Sequence, residues 1–236
     1  MNEHPLTLAV KARFKALQKT RVLAFGSSNT EHFQTGMHWF DIFEMGIRNT
    51  HGRIHHFINT GISGNTTANL LERFEDDAAF YKPHIVLITI GGNDCNPDKN
   101  ISEEEFVKNL QVLYRRFANM GTAVFFQTYY SPDPDLIETV RLKNFYRYTD
   151  IVRNTASALN VGLIDHLARW ELLRKAHPEL YKPLMRDGFH LNSKGNMVVG
   201  IDICKFFDLK PDADEPEFWK NGLEISNLMD TLMSGK

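Results

Sequence analysis

The feature that most constrains the fold of this chain is a set of five short apolar runs, separated by longer segments of helical pattern. The runs cover residues 21–25, 54–59, 84–90, 123–128 and 161–164. They are apolar at successive positions, which is typical of strands that are buried on both faces of a sheet. Strands that alternate with helices favour a parallel sheet. The sequence therefore predicts an α/β fold with a five-stranded parallel sheet.

The segments between these runs carry helix signals. Ser102 and Glu105 form a capping box, because each side chain can bond the other residue's backbone N–H. Behind this box an apolar residue recurs every three or four positions, at Phe106, Leu110, Leu113 and Phe117. A second long helix is predicted over 135–159, with Asn160 suited to the left-handed conformation that ends many helices.

The domain organisation follows from the absence of an internal repeat, a low-complexity tract or a linker before residue 210. We predict one domain over 1–210 and an extension over 211–236, which begins with the acidic stretch 212–217. The extension is amphipathic, and its apolar face carries Ile225, Leu228, Met229, Leu232 and Met233. That face could pack on the domain, or it could form a contact between two copies in a homo-oligomer.

Composition excludes several classes of partner and cofactor. The formal net charge of −2 gives no broad positive field for nucleic acid. No apolar stretch approaches the roughly 20 residues of a membrane span, and the N-terminal segment lacks a signal-peptide pattern. We therefore expect a cytoplasmic protein with no membrane partner. Two cysteines, and histidines 51, 55 and 56 without partners at ligand spacing, predict neither a disulfide scaffold nor a metal.

Reactive side chains follow the predicted strands. In a parallel sheet, ligands bind outside the carboxyl ends of the strands. Three polar, glycine-containing segments follow the first three strands, and a fourth lies near the C-terminus; they are residues 26–30, 59–66, 91–94 and 187–190. Each segment alone has an ordinary explanation as a turn or a helix cap. Together they contain the serine, histidine, aspartate and amide donors that acyl transfer requires.

These four segments resemble the sequence blocks of the SGNH (GDSL-like) esterases and lipases, in the same order, from about residue 21 to 207. The resemblance implies that Ser28 is the nucleophile. It implies that the Ser28 backbone, Gly64 and Asn93 supply the oxyanion donors. It further implies that Asp187 and His190 are the acid and the base of a catalytic triad.

The resemblance also implies a three-layer α/β/α, flavodoxin-like fold, no cofactor or metal, and hydrolysis of carboxylic esters through an acyl-enzyme. One position departs from the family pattern, since Ser27 stands where the family has an aspartate. Two adjacent serines could then be the nucleophile. Position after Gly26 favours Ser28, and we expect Ser27 to turn inward and bond the backbone.

The substrate class is indicated by the loops 31–39 and 127–132, which mix aromatic and polar residues. They suggest that Trp39, Tyr129 and Tyr130 bind substrate, although packing in the core explains these rings equally well. A long acyl chain would need a continuous apolar groove. The mixture therefore favours a small-molecule ester with a short acyl group, such as an acetylated sugar.

Four alternatives remain. A lipase or thioesterase of the same family would differ in acyl group, and an acyltransferase would differ only in the final acceptor. A flavin-binding module would explain residues 27–30 but neither 91–94 nor 187–190. A catalytically idle carbohydrate-binding protein would need no triad. The sequence leaves the acyl group, the alcohol and the oligomeric state open.

Overall fold

A five-stranded parallel sheet forms the framework of the molecule. The structure is a computed structural model, and it describes residues 3–32, 36–210 and 216–235. The strands are β1 (Arg21–Gly26), β2 (His56–Asn59), β3 (Ile85–Thr89), β4 (Ala123–Gln127) and β5 (Gly162–Ile164). Their order is β2-β1-β3-β4-β5, and every pair is parallel. This is the flavodoxin-like order, so the α/β prediction is confirmed.

The described residues also form ten α-helices. The first five are α1 (Pro5–Lys15), α2 (Trp39–His51), α3 (Thr67–Glu72), α4 (Phe74–Asp77) and α5 (Glu103–Asn119). The others are α6 (Thr139–Leu159), α7 (His166–Ala176), α8 (Pro178–Tyr181), α9 (Ser193–Phe206) and α10 (Pro216–Ser234).

The chain divides into two compact units, each assembled from separate stretches of sequence. The first takes its described residues from Met1–His32, His55–Tyr129 and Glu138–Ile164, and it contains the whole sheet. The second takes them from Phe33–Ile54, Tyr130–Ile137 and Asp165–Lys236, and it contains α2 and α7 to α10. A domain boundary after residue 210 stays a prediction. Residues 33–35 of the expected substrate loop and 211–215 of the acidic stretch lie outside the described residues.

The register of the sheet determines where the loops of the first unit begin. Gly26 of β1 pairs with Thr89 of β3, and Thr89 pairs in turn with Gln127 of β4. These three strands therefore end level with one another. The polar segments that follow them leave the sheet at one edge, as expected for the carboxyl ends of parallel strands.

Burial of β1 and β3 confirms the predicted apolar pattern, whereas β2 departs from it: this strand lies at the edge of the sheet, and its residues are half-buried or exposed. The side chains of β3 are all buried, as are those of β1 after its first residue. Ser102 caps α5, with its Oγ accepting the backbone N–H of Glu105 at 3.1 Å. The buried face of α5 contains all four predicted residues, Phe106, Leu110, Leu113 and Phe117, together with Asn109.

The helix predicted over 135–159 begins later than expected. Asp133 accepts the backbone N–H of Asp135 at 3.1 Å and caps a short 3₁₀ turn. Ile137 is then extended, with φ −128° and ψ 136°, so α6 begins only at Thr139. Its end is as predicted, because Asn160 adopts the left-handed conformation with φ 50° and ψ 49°.

In the second unit, α10 packs against α7 and α9. Arg169 of α7 donates two hydrogen bonds to Asp202 of α9 at 3.1 and 3.2 Å, and one to Asp230 of α10 at 2.7 Å. Burial raises the pKa of Asp202, while Arg169 acts in the opposite direction. Met229 of α10 is fully buried. Among the described helices, none combines the length and the hydropathy that a transmembrane span requires.

We expect Leu87→Ala to destabilise the protein far more than Leu8→Ala. Leu87 lies in the central strand and is fully buried, whereas Leu8 lies on α1 and is 51% exposed. The first substitution leaves a cavity and should cost about 2–5 kcal/mol of the free energy of unfolding. The second should cost less than about 1 kcal/mol. Urea unfolding of both variants measures the difference, and equal losses would contradict the described position of β3.

Candidate active site

The turn after β1 separates its two serines. The Ser27 carbonyl accepts backbone N–H groups from Thr30 and Glu31, both at 2.9 Å, which closes the turn. Ser27 is 1% exposed, whereas Ser28 is half-buried. Ser27 therefore turns inward as expected. Its Oγ, however, shares a hydrogen bond of 3.1 Å with the Tyr129 hydroxyl, a side-chain partner rather than a backbone one.

The loop after β2 presents Gly64 on the surface in a conformation that suits glycine. Its φ is +78°, which is strained for residues with a β-carbon. The loop is tied back to β1, since the N–H of Thr60 donates to Ala24 at 3.0 Å and that of Ile62 donates to Gly26 at 3.2 Å. The Gly64 amide is thus carried by a loop whose start is anchored to the sheet.

The turn after β3 brings Asn93 next to this loop. The Asn93 side-chain amide donates to the backbone carbonyl of Asn65 at 2.9 Å. An amide has two N–H donors, and this bond uses one of them. The turn itself is anchored by buried Asp94, whose Oδ1 accepts the backbone N–H of Thr67 at 2.8 Å. Burial raises the pKa of Asp94, and the bonds from Thr67 oppose that change.

Arg73 holds the first two loops together, and sequence reasoning missed it. Its guanidinium donates to the carbonyls of Gly26 at 3.0 Å and Thr60 at 2.7 Å, and to the side chain of Asn65 at 2.7 Å. It also lies 4.6 Å from the ring centre of Phe25. The available signal was an arginine close to three apolar residues at helical spacing, Leu70, Leu71 and Phe74.

Asp187 and His190 form a close pair in the second unit. The His190 Nδ1 lies 2.9 Å from each Asp187 carboxylate oxygen. Asp187 Oδ1 also accepts the backbone N–H groups of Phe189 and His190, both at 2.8 Å. The carboxylate therefore caps its own turn, which explains why a separation of three residues brings the aspartate onto the imidazole.

The electrostatics of this pair fix the tautomer of His190. Burial acts to raise the pKa of Asp187, but the Phe189 N–H, the His190 imidazole and the Arg186 guanidinium outweigh it and hold the pKa below its ordinary value. An ionised carboxylate can only accept hydrogen bonds. In the neutral imidazole this places the proton on Nδ1 and makes Nε2 the acceptor nitrogen, which is the tautomer that a general base requires.

Three further contacts hold the His190 segment in place. The Arg186 N–H donates to the His190 carbonyl at 2.8 Å, and the Asp133 N–H donates to the Gly188 carbonyl at 3.0 Å. Asn192 then caps α9 by accepting two of its first backbone N–H groups. His190 thus lies on a short segment that is bonded on both sides.

The three aromatic residues predicted to bind substrate are buried. Trp39 is 4% exposed, Tyr129 is 5% exposed and Tyr130 is 6% exposed. A sugar that stacks on a ring needs an open face, and these rings present little surface. The structure thus gives them packing and hydrogen-bonding contacts, in contrast to the stacking role that the loop composition suggested.

The predicted site residues are divided between the two units. Ser28, Gly64 and Asn93 belong to the first unit, in which Asn93 bonds the residue that follows Gly64. Asp187 and His190 belong to the second and are in direct contact. Within the described part of the chain, no three histidine, cysteine or acidic side chains are grouped to hold a metal ion.

Comparison with known proteins gives the family. The model of the GDSL-like Lipase/Acylhydrolase family matches residues 24–198, a range that contains all five predicted catalytic and oxyanion residues. The chain belongs to this GDSL-like family. It is accordingly an enzyme, a hydrolase that acts on carboxylic ester bonds, and the family decides against the flavin-binding and non-catalytic alternatives.

Individual relatives agree with this assignment. An acetylxylan esterase of Geobacillus stearothermophilus is 26% identical over 165 residues, which cover 66% of this chain and 70% of the relative. The solved structure of the acetylxylan esterase Axe2 from the same organism has a TM-score of 0.70, with 20% identity over 83% of this chain and 97% of that one. The acetyl xylan esterase AlAXEase has a TM-score of 0.68, with 24% identity over 78% of this chain and 98% of that one.

Arg73→Lys should lower kcat/KM for p-nitrophenyl acetate by about tenfold or more. The compact ammonium group of lysine cannot make the three hydrogen bonds by which the planar guanidinium joins the two loops. Arg116→Lys is the matched control. Arg116 also lies over a phenylalanine ring, that of Phe74, and also donates to a backbone carbonyl, that of Leu71. Steady-state kinetics of both variants test this expectation, and equal effects would argue against a special role for Arg73.

Proposed function

We propose that the protein is a serine esterase that removes a short acyl group, in the first place acetyl, from a carbohydrate ester. The observation that carries this proposal is the contact of His190 Nδ1 with both oxygens of ionised Asp187. That contact prepares an imidazole base, and the GDSL-like family supplies the ester chemistry in which such a base is used. The partner is then a small-molecule ester, and no metal or cofactor takes part in the proposed steps.

In the proposed mechanism, the Ser28 hydroxyl attacks the acyl carbon while His190 Nε2 takes its proton. The oxyanion that forms accepts hydrogen bonds from the backbone N–H groups of Ser28 and Gly64 and from the Asn93 amide. The carbon–oxygen bond to the alcohol then breaks, and the imidazolium returns the proton to the leaving alcohol. Water attacks the acyl-enzyme with His190 again as base, which releases the acid and restores Ser28.

The identity of the triad is supported by variants of Axe2 from G. stearothermophilus. Three solved structures of that enzyme are catalytic mutants, in which a serine, an aspartate or a histidine is replaced by alanine. The aspartate and the histidine are three positions apart there, as Asp187 and His190 are here. The order of serine, aspartate and histidine along the chain is also the same.

The preference for acetyl esters of carbohydrates is supported by the relatives. The Geobacillus relative, Axe2 and AlAXEase are all acetylxylan esterases. A short acyl group also agrees with the sequence, which has no long apolar segment beside the reactive loops. A cytoplasmic location and assembly into a homo-oligomer stay predictions.

A second candidate function, hydrolysis of longer acyl esters, is favoured by one observation. The second unit contains a cavity of about 510 Å³. Its lining is largely apolar and includes Met37, Leu184, Met197 and Ile225. A lipase or thioesterase could place an acyl chain in such a cavity, so the length of the acyl group requires a direct measurement.

Ser28→Ala should abolish hydrolysis of p-nitrophenyl acetate, because no other group in the proposed mechanism can form the acyl-enzyme. The expected loss is at least about a thousandfold in kcat. Ser27→Ala is the matched control, and it should retain activity within about one or two orders of magnitude of the wild type. Full activity of Ser28→Ala would contradict the assignment of the nucleophile.

The acyl group is tested by comparing p-nitrophenyl acetate, butyrate and octanoate. We expect kcat/KM to be highest for acetate and to fall with chain length, because the proposed substrate carries a short acyl group. A maximum at octanoate would support the second candidate. Acetyl transfer to an added alcohol, in preference to water, would instead favour an acyltransferase.

The pH profile of kcat/KM should show a single ionisation on its acid side. Activity should rise with pH on that side, because only a neutral imidazole can take the proton of Ser28. Asp187, whose pKa is lowered, is ionised above its ordinary range and adds no second step there. Asp187→Asn should reduce kcat by up to about 10⁴-fold, because the amide favours the wrong tautomer. A flat profile, or loss of activity with a chelator, would contradict this mechanism.

A further inference from the structure

We propose that Tyr129 and Tyr130, the consecutive tyrosines after β4, are positioning residues for catalysis: the Tyr129 hydroxyl holds the nucleophile turn against the oxyanion turn, and the Tyr130 hydroxyl holds the segment of the base. This inference rests on the proposed esterase function. It gives a positioning role to two side chains that the sequence assigned to substrate.

Tyr129 connects the residues that directly precede two proposed catalytic groups. Its hydroxyl shares a hydrogen bond of 3.1 Å with Ser27, the residue before Ser28. Gly92, the residue before Asn93, packs against the same hydroxyl, since a β-carbon there would lie 3.0 Å from the Tyr129 oxygen. One buried hydroxyl thus links the nucleophile turn to the oxyanion turn.

The surroundings of Tyr129 are fitted to this contact. A β-carbon at Gly92 would lie 2.9 Å from the ring carbon Cζ of Tyr129. The turn therefore approaches the ring more closely than a residue with a side chain at position 92 would allow. The ring packs edge-on against Phe145, with 5.9 Å between centroids. Burial raises the pKa of Tyr129, so the hydroxyl stays neutral and acts through hydrogen bonds rather than as a base.

Tyr130 makes the equivalent contact in the second unit. Its hydroxyl donates to the carbonyl of Phe189 at 2.7 Å and accepts the N–H of Leu191 at 3.0 Å. These two residues flank His190. The Tyr130 ring packs against Trp170, with 5.4 Å between centroids, so the hydroxyl that brackets the base is itself held by a buried aromatic contact.

A tyrosine that only fills the core would behave differently from a positioning residue. Loss of its hydroxyl would lower the stability of the fold and leave kcat unchanged. Loss of a positioning hydroxyl lets the reacting groups move, and a misplacement of about 1 Å can cost about a hundredfold in rate. The kinetic constants and the protection of nearby backbone amides from hydrogen exchange together therefore distinguish the two roles.

The test uses Tyr129→Phe and Tyr130→Phe, with Thr122→Val as the control. Thr122 is buried just before β4, at its amino end, and its Oγ1 also donates to a backbone carbonyl, that of Pro83, at 2.8 Å. For each variant we would measure kcat and KM for p-nitrophenyl acetate, the melting temperature and the hydrogen exchange of assigned backbone amides.

We expect kcat to fall by about tenfold to a hundredfold in both tyrosine variants, with KM changed less than about twofold. Thr122→Val should lose comparable melting temperature and keep its kcat. Exchange should accelerate at the Thr30 amide, which closes the Ser27 turn, in Tyr129→Phe, and at the Leu191 amide in Tyr130→Phe.

The variant Ser27→Ala/Tyr129→Phe adds a second criterion. Both single changes remove the same hydrogen bond, so the double variant should lose no more kcat than the worse single variant. Unchanged kcat in both tyrosine variants of an active enzyme would overturn the positioning proposal alone, as would unchanged amide exchange. A wild type that hydrolyses none of the p-nitrophenyl esters would overturn the proposed function and the positioning role with it.

Discussion

The parallel pairing of β1 with β3 and of β3 with β4 is the constraint on which the first unit depends. Parallel strands bond through evenly spaced backbone groups, so the register of one pair determines where the next strand ends. Gly26, Thr89 and Gln127 consequently lie in one row. The turns that carry Ser28 and Asn93 leave the sheet from that row, within reach of the same supporting side chains.

Where strands end in one row, the carbonyl and N–H groups of several strand ends and turns lie close together. Backbone polar groups that leave water need partners. Arg73 supplies donors to the carbonyls of Gly26 and Thr60, and Asp94 supplies an acceptor to the N–H of Thr67. The side chains that satisfy these groups also join the loops to one another. The connection between these loops is therefore a consequence of hydrogen-bond satisfaction.

In the second unit, the main constraint is the orientation of the His190 imidazole. Asp187 is ionised because backbone N–H groups, His190 and Arg186 together offset the cost of its burial. The same oxygen accepts the two N–H groups of the turn and contacts Nδ1. One carboxylate thus shapes the turn and selects the tautomer, so the conformation and the tautomer of His190 have a common origin.

The sequence by itself determined the five strands, the buried face of α5 and the spacing of Asp187 and His190, because these depend on local periodicity and on bonds between near neighbours. Helix starts were less certain, as α6 shows, since the turn after Asp133 competes with the helix. Only the tertiary structure decided the partners of Ser27, Arg73, Tyr129 and Tyr130. Ser27 and Tyr129 are 102 positions apart, and whether a tyrosine faces substrate or the core depends on which distant groups form hydrogen bonds with its hydroxyl.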